Sequence, residues 1–331
     1  MKKIVIFGST GNIGAYFTDY CNNMIDKKQY EVIAVGRKHT DYYRKAGIEY
    51  INVDLCNSSD FERLPIDDLY AVVNLAGLLP AYMKEYDPFK YVETNINGAL
   101  RILEYARKNN ADRALYTQTW AEQAGYWGKE EVLRPEYPRK LLFTGDHAFY
   151  AITKSMVVDT MEHYKQEYGL KNFVFRLPNV YLYHPEKYYY VDCVKKPIGY
   201  RYMIDKAAAG DTIEMWGNPD AFKDILYIKD LCQMMYKALF AQVDGGTYNA
   251  GTGIRTTLRE QIEGIIDVFS PKEHMSNIVE KPEKSSFTNF VMDIENAKKD
   301  LGYKPEFSYI RYLEDYKKEQ KLNRFAELWR K

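Results

Sequence analysis

Tyr150 and Lys154 stand four residues apart within a long run of helical periodicity, so their side chains share one helix face. A tyrosine is a poor acid–base group while its pKa sits near 10. A cation one turn away, helped by a positively charged ligand ring, would lower it. A shift of roughly three units corresponds to about 4 kcal/mol of preference for the phenolate. The spacing alone proves little in a chain with 31 Tyr, because Tyr86/Lys90, Tyr183/Lys187 and Tyr202/Lys206 share it. Pro88 and Pro185 disfavour a regular helical turn in the first two. The third allows a helix but lies outside the main alternation of strands and helices. Context selects Tyr150 and Lys154. Thr119 follows the short apolar run Ala114–Thr117; a hydroxyl there either hydrogen-bonds a substrate oxygen beside Tyr150 or stabilises the local turn.

A second group of residues suits phosphate. Gly8-Ser9-Thr10-Gly11-Asn12-Ile13-Gly14 falls between an expected strand and an expected helix. A dinucleotide pyrophosphate needs that combination: glycines for a tight turn and close backbone approach, then the free N–H groups of a helix start. Arg37 and Lys38 end the second strand, where NAD-preferring sites usually carry a carboxylate for the ribose 2′-OH. A cation attracts the 2′-phosphate of NADP instead, so Arg37 favours NADP over NAD; a solvated basic turn is the other reading. Asp54, followed by Leu55, ends the third strand, where it either accepts from the adenine amino group or caps a turn.

These residues need a scaffold that brings strand ends together. Strands are expected at Lys3–Phe7, Val32–Val35, Glu49–Val53, Ala71–Leu75, Ala114–Thr117 and Phe173–Leu177. Helices are expected at Gly14–Ile25, Phe89–Lys108 and Ala148–Tyr168, the second with Val92, Ile96, Leu100, Leu103 and Ala106 at helical spacing. Alternating strands and helices give parallel crossovers and an α/β, Rossmann-type doubly wound sheet, which binds ligands beyond its C-terminal strand ends. After Pro178 the rhythm changes. Tyr181–Pro197 reads as a long loop, followed by a strand at Asp224–Ile228, a helix at Asp230–Gln242, a strand at Gly246–Asn249, and helices near Thr257–Phe269 and Ile294–Leu301. The division expected is a dinucleotide-binding domain over 1–177 plus about 221–250, and a smaller α/β substrate-binding lobe over 178–220 and 251–331.

Composition excludes other classes. The 331 residues carry 46 Lys+Arg against 46 Asp+Glu, so the basic excess usual in nucleic-acid binders is missing. No apolar run approaches the length of a membrane span, and the start is too short for a signal-peptide core. Cys21, Cys56, Cys193 and Cys232 form no C-x-x-C pair, and the five His no metal-binding spacing. A cytoplasmic protein without metal, membrane or nucleic acid is expected.

Taken in order, these motifs resemble the extended short-chain dehydrogenase/reductases, the NAD(P)-dependent nucleotide-sugar epimerases, dehydratases and reductases. The glycine loop is similar to that family's dinucleotide loop, and Asn74-Leu75-Ala76-Gly77 to its fourth-strand motif beside the cofactor. Asn95-Ile96-Asn97-Gly98 resembles the start of its long helix, and Thr119, Tyr150 and Lys154 its Ser/Thr–Tyr–Lys triad. Arg176-Leu177-Pro178-Asn179-Val180-Tyr181 resembles the segment whose Asn touches the nucleotide-sugar. Lys223-Asp224-Ile225-Leu226-Tyr227 is similar to R-D-F-I-Y, with Lys223 where an Arg often meets the diphosphate. Tyr248-Asn249-Ala250-Gly251 and Leu301-Gly302-Tyr303-x-Pro305 match late signatures. The resemblance implies a dinucleotide site that includes Leu75, Ala76, Gly77 and Asn95, and a substrate site with Thr119, Tyr150, Asn179 and Lys223. It also implies a nucleotide-sugar substrate and a homodimer paired through the two long helices. Hydride transfer at the sugar's C4 follows, by a 4-epimerase or a 4-ketosugar reductase. The family's dehydratases follow their Thr with Asp-Glu; Thr119 is followed by Trp120-Ala121-Glu122, which argues against dehydration. A non-catalytic dinucleotide sensor is the alternative from another class, disfavoured because Tyr150 and Lys154 are both present.

Overall fold

The computed structural model describes residues 1–330. Strand β1 (Lys2–Phe7) points Ile4 and Ile6 to one side and Val5 and Phe7 to the other, and all four are buried. A strand apolar on both faces belongs inside a sheet covered twice. β2 (Tyr30–Gly36), β3 (Glu49–Asn52), β4 (Leu69–Asn74), β5 (Arg113–Thr119), β6 (Lys171–Leu177) and β7 (Gly245–Asn249) complete it, in the order β7-β6-β5-β4-β1-β2-β3 with every pair parallel. The sheet is the expected doubly wound Rossmann arrangement, and the order reverses direction beside β1, where ligands bind in such sheets.

Two cores follow from the two faces. Ile4, Ile6, Ala34, Val73 and Phe173 pack with α1 (Asn12–Met24). Val5, Phe7, Val35, Val72 and Tyr116 pack with α2 (Gly98–Lys108) and α3 (Ala148–Tyr168). Gly169, at φ 72°, ends α3 in the left-handed region, where glycine escapes the Cβ penalty.

The stretch expected as one helix over Phe89–Lys108 is not uniform. A helical turn at Pro88–Tyr91 runs into a wider π-helical turn at Val92–Asn97 before α2 begins. The wider turn carries Asn95 inward, where it is buried. The expected loop at 181–197 instead contains an antiparallel hairpin, Tyr188–Val191 with Val194–Pro197. Its strands, Tyr-Tyr-Tyr-Val and Val-Lys-Lys-Pro, set Tyr189 and Tyr190 across from Lys196 and Lys195 and show no apolar/polar alternation for the sequence to advertise. The strand expected at Asp224–Ile228 is two short pieces, Phe222–Lys223 and Leu226–Tyr227, paired with different neighbours. Asp224 lies between them and accepts from Thr252 N (2.8 Å), Thr252 Oγ1 (2.6 Å) and Gly253 N (2.9 Å).

Further helices toward the C-terminus are α4 (Gly199–Ala209), α5 (Ile228–Phe240), α6 (Leu258–Phe269), α7 (Glu295–Leu301), α8 (Tyr309–Leu322) and α9 (Ala326–Trp329). Among the described residues no helix is long and apolar enough to cross a membrane.

Candidate active site

The glycine loop is shaped by contacts that exclude side chains. Gly8 adopts φ +82°, and a Cβ there would lie 2.6 Å from Ala76 N. A Cβ on Gly14 would lie 2.0 Å from Gly8 O, so only glycine lets α1 start this close to β1. Gly11 stands at the N-cap of α1, where no side chain bonds the first turn. Those N–H groups stay available to an anion.

Two cavities meet over this loop. One, of about 560 Å³, is lined by Gly8, Thr10, Arg37, Lys38, Asp54 and Leu55. The other, of about 490 Å³, is lined by Asn12, Ile13, Gly14, Thr119, Tyr150, Lys154 and Asn179. Gly11, Leu75, Ala76 and Gly77 border both, so they form one groove across the C-terminal ends of β1, β2, β4, β5 and β6. An extended dinucleotide would suit that shape, with an adenosine end by β2 and β3, a pyrophosphate by Gly11 and a nicotinamide end toward Tyr150.

Two expected contacts lie outside the groove. Asn95 Oδ1 accepts from Leu78 N (2.7 Å) and its Nδ2 donates to Leu78 O (3.1 Å) and Thr153 Oγ1 (3.4 Å). It ties the loop after β4 to α3 from behind. Lys223 holds its ammonium 4.3 Å from the centroid of the Phe287 ring and 5.7 Å from that of Tyr181, and none of the three lines the cleft. A third is only half as expected. Lys38 borders the adenosine end, but its ammonium donates to Leu328 O (3.0 Å) and Arg330 O at the C-terminal side of α9. Arg37 is exposed there and makes no ion pair among the described residues. Asp54 Oδ1 accepts from Cys56 N (3.0 Å), the turn-capping role, while its residue still borders the groove.

At the other end Thr119 closes β5. Its Oγ1 accepts from Ala121 N (3.2 Å), which leaves the hydroxyl proton to donate; the turn-stabilising and ligand-binding readings are therefore compatible. Tyr150 and Lys154 are both buried on α3. Burial, assisted by Tyr91 and Tyr82, pushes the Tyr150 phenol well above its ordinary range. Burial also lowers Lys154 to about 7. Its ammonium rests 3.9 Å from the centroid of the Tyr116 ring, a cation–π contact. In the protein alone, then, Lys154 does not lower the phenol, and the expected lowering also calls for a positively charged ring bound beside it. The protein's own groups do not lower it, because removal from water disfavours both charges and Lys154 is held on the Tyr116 face. A cationic ring bound in the groove would supply the missing field.

Sequence reasoning missed His147 and Trp120 as cleft residues, together with the Leu79–Tyr82 segment. His147 is one turn before Tyr150 and lies 3.6 Å from Asp146. Its position three before Tyr150 was a signal; the loop residues offered none. Glu122 does not enter the cleft. It is buried against Arg176 (2.5 Å) and accepts from Gln118 Nε2 (2.8 Å).

A parallel doubly wound sheet with a glycine loop and a buried Tyr–Lys pair at its ligand-binding edge defines a dinucleotide-dependent enzyme of the short-chain dehydrogenase/reductase class. Residues 4–251 match the NAD dependent epimerase/dehydratase family, and the chain belongs to it. It is 23% identical over 321 residues to the low-salt glycan biosynthesis protein Agl12 of Haloferax volcanii, covering 94% of this chain and 96% of that one. It is 22% identical over 310 residues to a putative UDP-glucose 4-epimerase of Methanocaldococcus jannaschii, covering 92% and 93%. Its fold matches the crystal structure of Thermotoga maritima UDP-glucose 4-epimerase with UDP-glucose at a TM-score of 0.76 and 20% identity, covering 96% of this chain and 99% of that one.

Proposed function

We propose that the chain moves hydride between a nicotinamide dinucleotide and C4 of a nucleotide-linked hexose, as a 4-epimerase or a 4-ketosugar reductase. The observation that carries this reading is that Thr119, Tyr150 and Lys154 line one cleft continuous with the glycine-loop groove. The bound nicotinamide supplies the hydride donor or acceptor. Tyr150 takes the proton from the sugar hydroxyl on oxidation, or gives one to the carbonyl oxygen on reduction. Thr119 donates its hydroxyl proton to the same oxygen and fixes its position. Lys154 binds the ribose and, while charged, favours the phenolate. Asn179, exposed at the cleft, reaches the nucleotide-sugar, while Lys223 stays over the Phe287 ring. Gly8, Gly11 and Gly14 admit the pyrophosphate, Ala76 and Gly77 border it, and Arg37 takes the 2′-phosphate of NADP. Dehydration is disfavoured because Trp120 stands where an acid is needed and Glu122 is spent on Arg176. Residues 1–177 with about 221–250 carry the dinucleotide; 178–220 and 251–331 carry the substrate. A homodimer through α2 and α3 suits the exposed Leu100 and Met156.

The test is to denature the purified protein, then identify and quantify the dinucleotide released. Near-stoichiometric NAD(P)⁺ selects the epimerase, which retains its cofactor through the cycle. An empty protein that binds NADPH reversibly, and more tightly than NADH, selects the reductase. A protein that binds neither dinucleotide overturns both.

A further inference from the structure

The charge on Lys154 has little support in the protein. Lys154 borders the cleft but is buried on α3, and among the described residues its ammonium makes no hydrogen bond or ion pair. Carboxylates on the elements packed against α3 are engaged elsewhere: Glu93 with Arg101 (2.8 Å), Glu104 with Arg107 (2.8 Å) and Glu122 with Arg176 (2.5 Å). Asp146, just before the helix, faces His147 (3.6 Å). Tyr150 and Tyr91 are neutral phenols, both pushed up by burial. A buried ammonium without an acceptor has lost its hydration and gained nothing in exchange.

One group does face it. Alternation along β5 sends Leu115 to the α1 side of the sheet and Tyr116 to the side of α2 and α3. Gln118, two residues on, donates to Ser155 Oγ on α3 (3.3 Å), and Tyr116 meets the residue before it. The Tyr116 ring is buried, with its centroid 3.9 Å from the Lys154 ammonium. Its hydroxyl is also buried and has no hydrogen-bond partner. The residue therefore acts through its ring, whose electron-rich face stabilises a desolvated cation.

We infer that Tyr116 is a positioning residue: its ring holds the Lys154 ammonium in its charged form, one helical turn from Tyr150. Tyr116 touches no reacting atom and acts only through Lys154. The catalytic consequence rests on the proposed C4 chemistry, in which the charge on Lys154 favours the Tyr150 phenolate.

The experiment is a double-mutant cycle of Tyr116→Leu and Lys154→Met in the full-length protein, read by urea melts at pH 6 and pH 9. The folded lysine has a pKa of about 7, so its charge is present at pH 6 and largely lost at pH 9. A ring that raises this pKa by about one contributes stability below it, and the contribution fades as pH rises through it. The coupling should be about fivefold in the folding equilibrium at pH 6 and absent at pH 9. Tyr116→Phe keeps the ring face and should show no such coupling, and Tyr116→Met replaces Tyr116→Leu if that variant does not fold. The second readout is the tyrosinate absorbance that Tyr150→Phe abolishes, titrated with saturating NADP⁺ or NAD⁺. Its midpoint should lie about one pH unit higher in Tyr116→Leu and stay in place in Tyr116→Phe. Coupling that is missing at pH 6, or equal at both pH values, overturns the inference and leaves the C4 reading intact; so does an unmoved midpoint. If no tyrosinate signal depends on Tyr150, the C4 reading fails instead, while the cycle still reports the contact between Tyr116 and Lys154.

Discussion

Tyr150 and Lys154 are displaced in opposite directions by one cause, their removal from water. Two variants separate their roles. Tyr150→Phe should lower kcat at least about a hundredfold, the usual scale for an acid–base group, and leave dinucleotide binding unchanged by fluorescence titration; retained turnover would remove Tyr150 from the chemistry. Lys154 is informative through stability. Its folded pKa, about 7, lies below the unfolded 10.5. Between those values the unfolded chain binds more protons than the folded one, so this group's contribution makes stability rise with pH. Below pH 7 the lysine is charged in both states and the burial penalty is full. Lys154→Met should therefore be inactive yet more stable than the parent at pH 6. The gap should narrow as pH rises above 7 and vanish near 10.5. Paired urea melts at pH 6 and pH 9 read it, and a variant less stable than the parent at pH 6 would contradict the account.

At the scale of elements, the sequence read well wherever burial imposes a period. β1 is apolar on both faces because it lies between two helical layers, and α3 was expected with the limits it has. The turn at Val92–Asn97 could not be read, because five apolar positions at ordinary helical spacing describe a continuous helix and one inserted residue leaves no compositional mark. The hairpin at 188–197 escaped because its strands are largely solvated, and the Phe222–Tyr227 strands because each is only two residues long. Of the site, the glycine loop and the Tyr–Lys pair were legible, since chemistry dictates residue type and spacing there. The bracing role of Asn95 was not legible, for the same reason that its turn was missed. It belongs to the loop after β4, through both Leu78 backbone groups. Asn95→Leu should cost about 1–3 kcal/mol, the usual penalty for leaving buried backbone groups unpaired. It should also weaken dinucleotide binding several-fold, with kcat nearly intact at saturation. Unchanged stability would show that Leu78 finds other partners.

Across the whole molecule, the far end of the chain reaches the groove over the glycine loop. Arg324 pairs with Glu319 (2.8 Å) and with Asp19 on α1, and Lys45 pairs with Glu327 (2.9 Å). Trp329 packs near Tyr16 and His184, 4.4 Å from the latter's ring. Lys38 completes this closure by donating to the carbonyls of Leu328 and Arg330. The neighbours Arg37 and Lys38, which look equivalent in sequence, therefore have different work: one faces the groove and the other fastens the C-terminal helices to the β2 turn. Arg37→Ser should lower the preference for NADPH over NADH about tenfold or more, the scale of a charge-assisted bond to phosphate. Lys38→Met should leave that ratio within about twofold but reduce stability by about 1–2 kcal/mol through two lost hydrogen bonds. Cofactor competition and thermal melts on the same two proteins distinguish the roles. If Lys38→Met moves the cofactor ratio as far as Arg37→Ser does, then its ammonium leaves the carbonyls when the dinucleotide binds, and the C-terminal helices would have to loosen each time the cofactor enters.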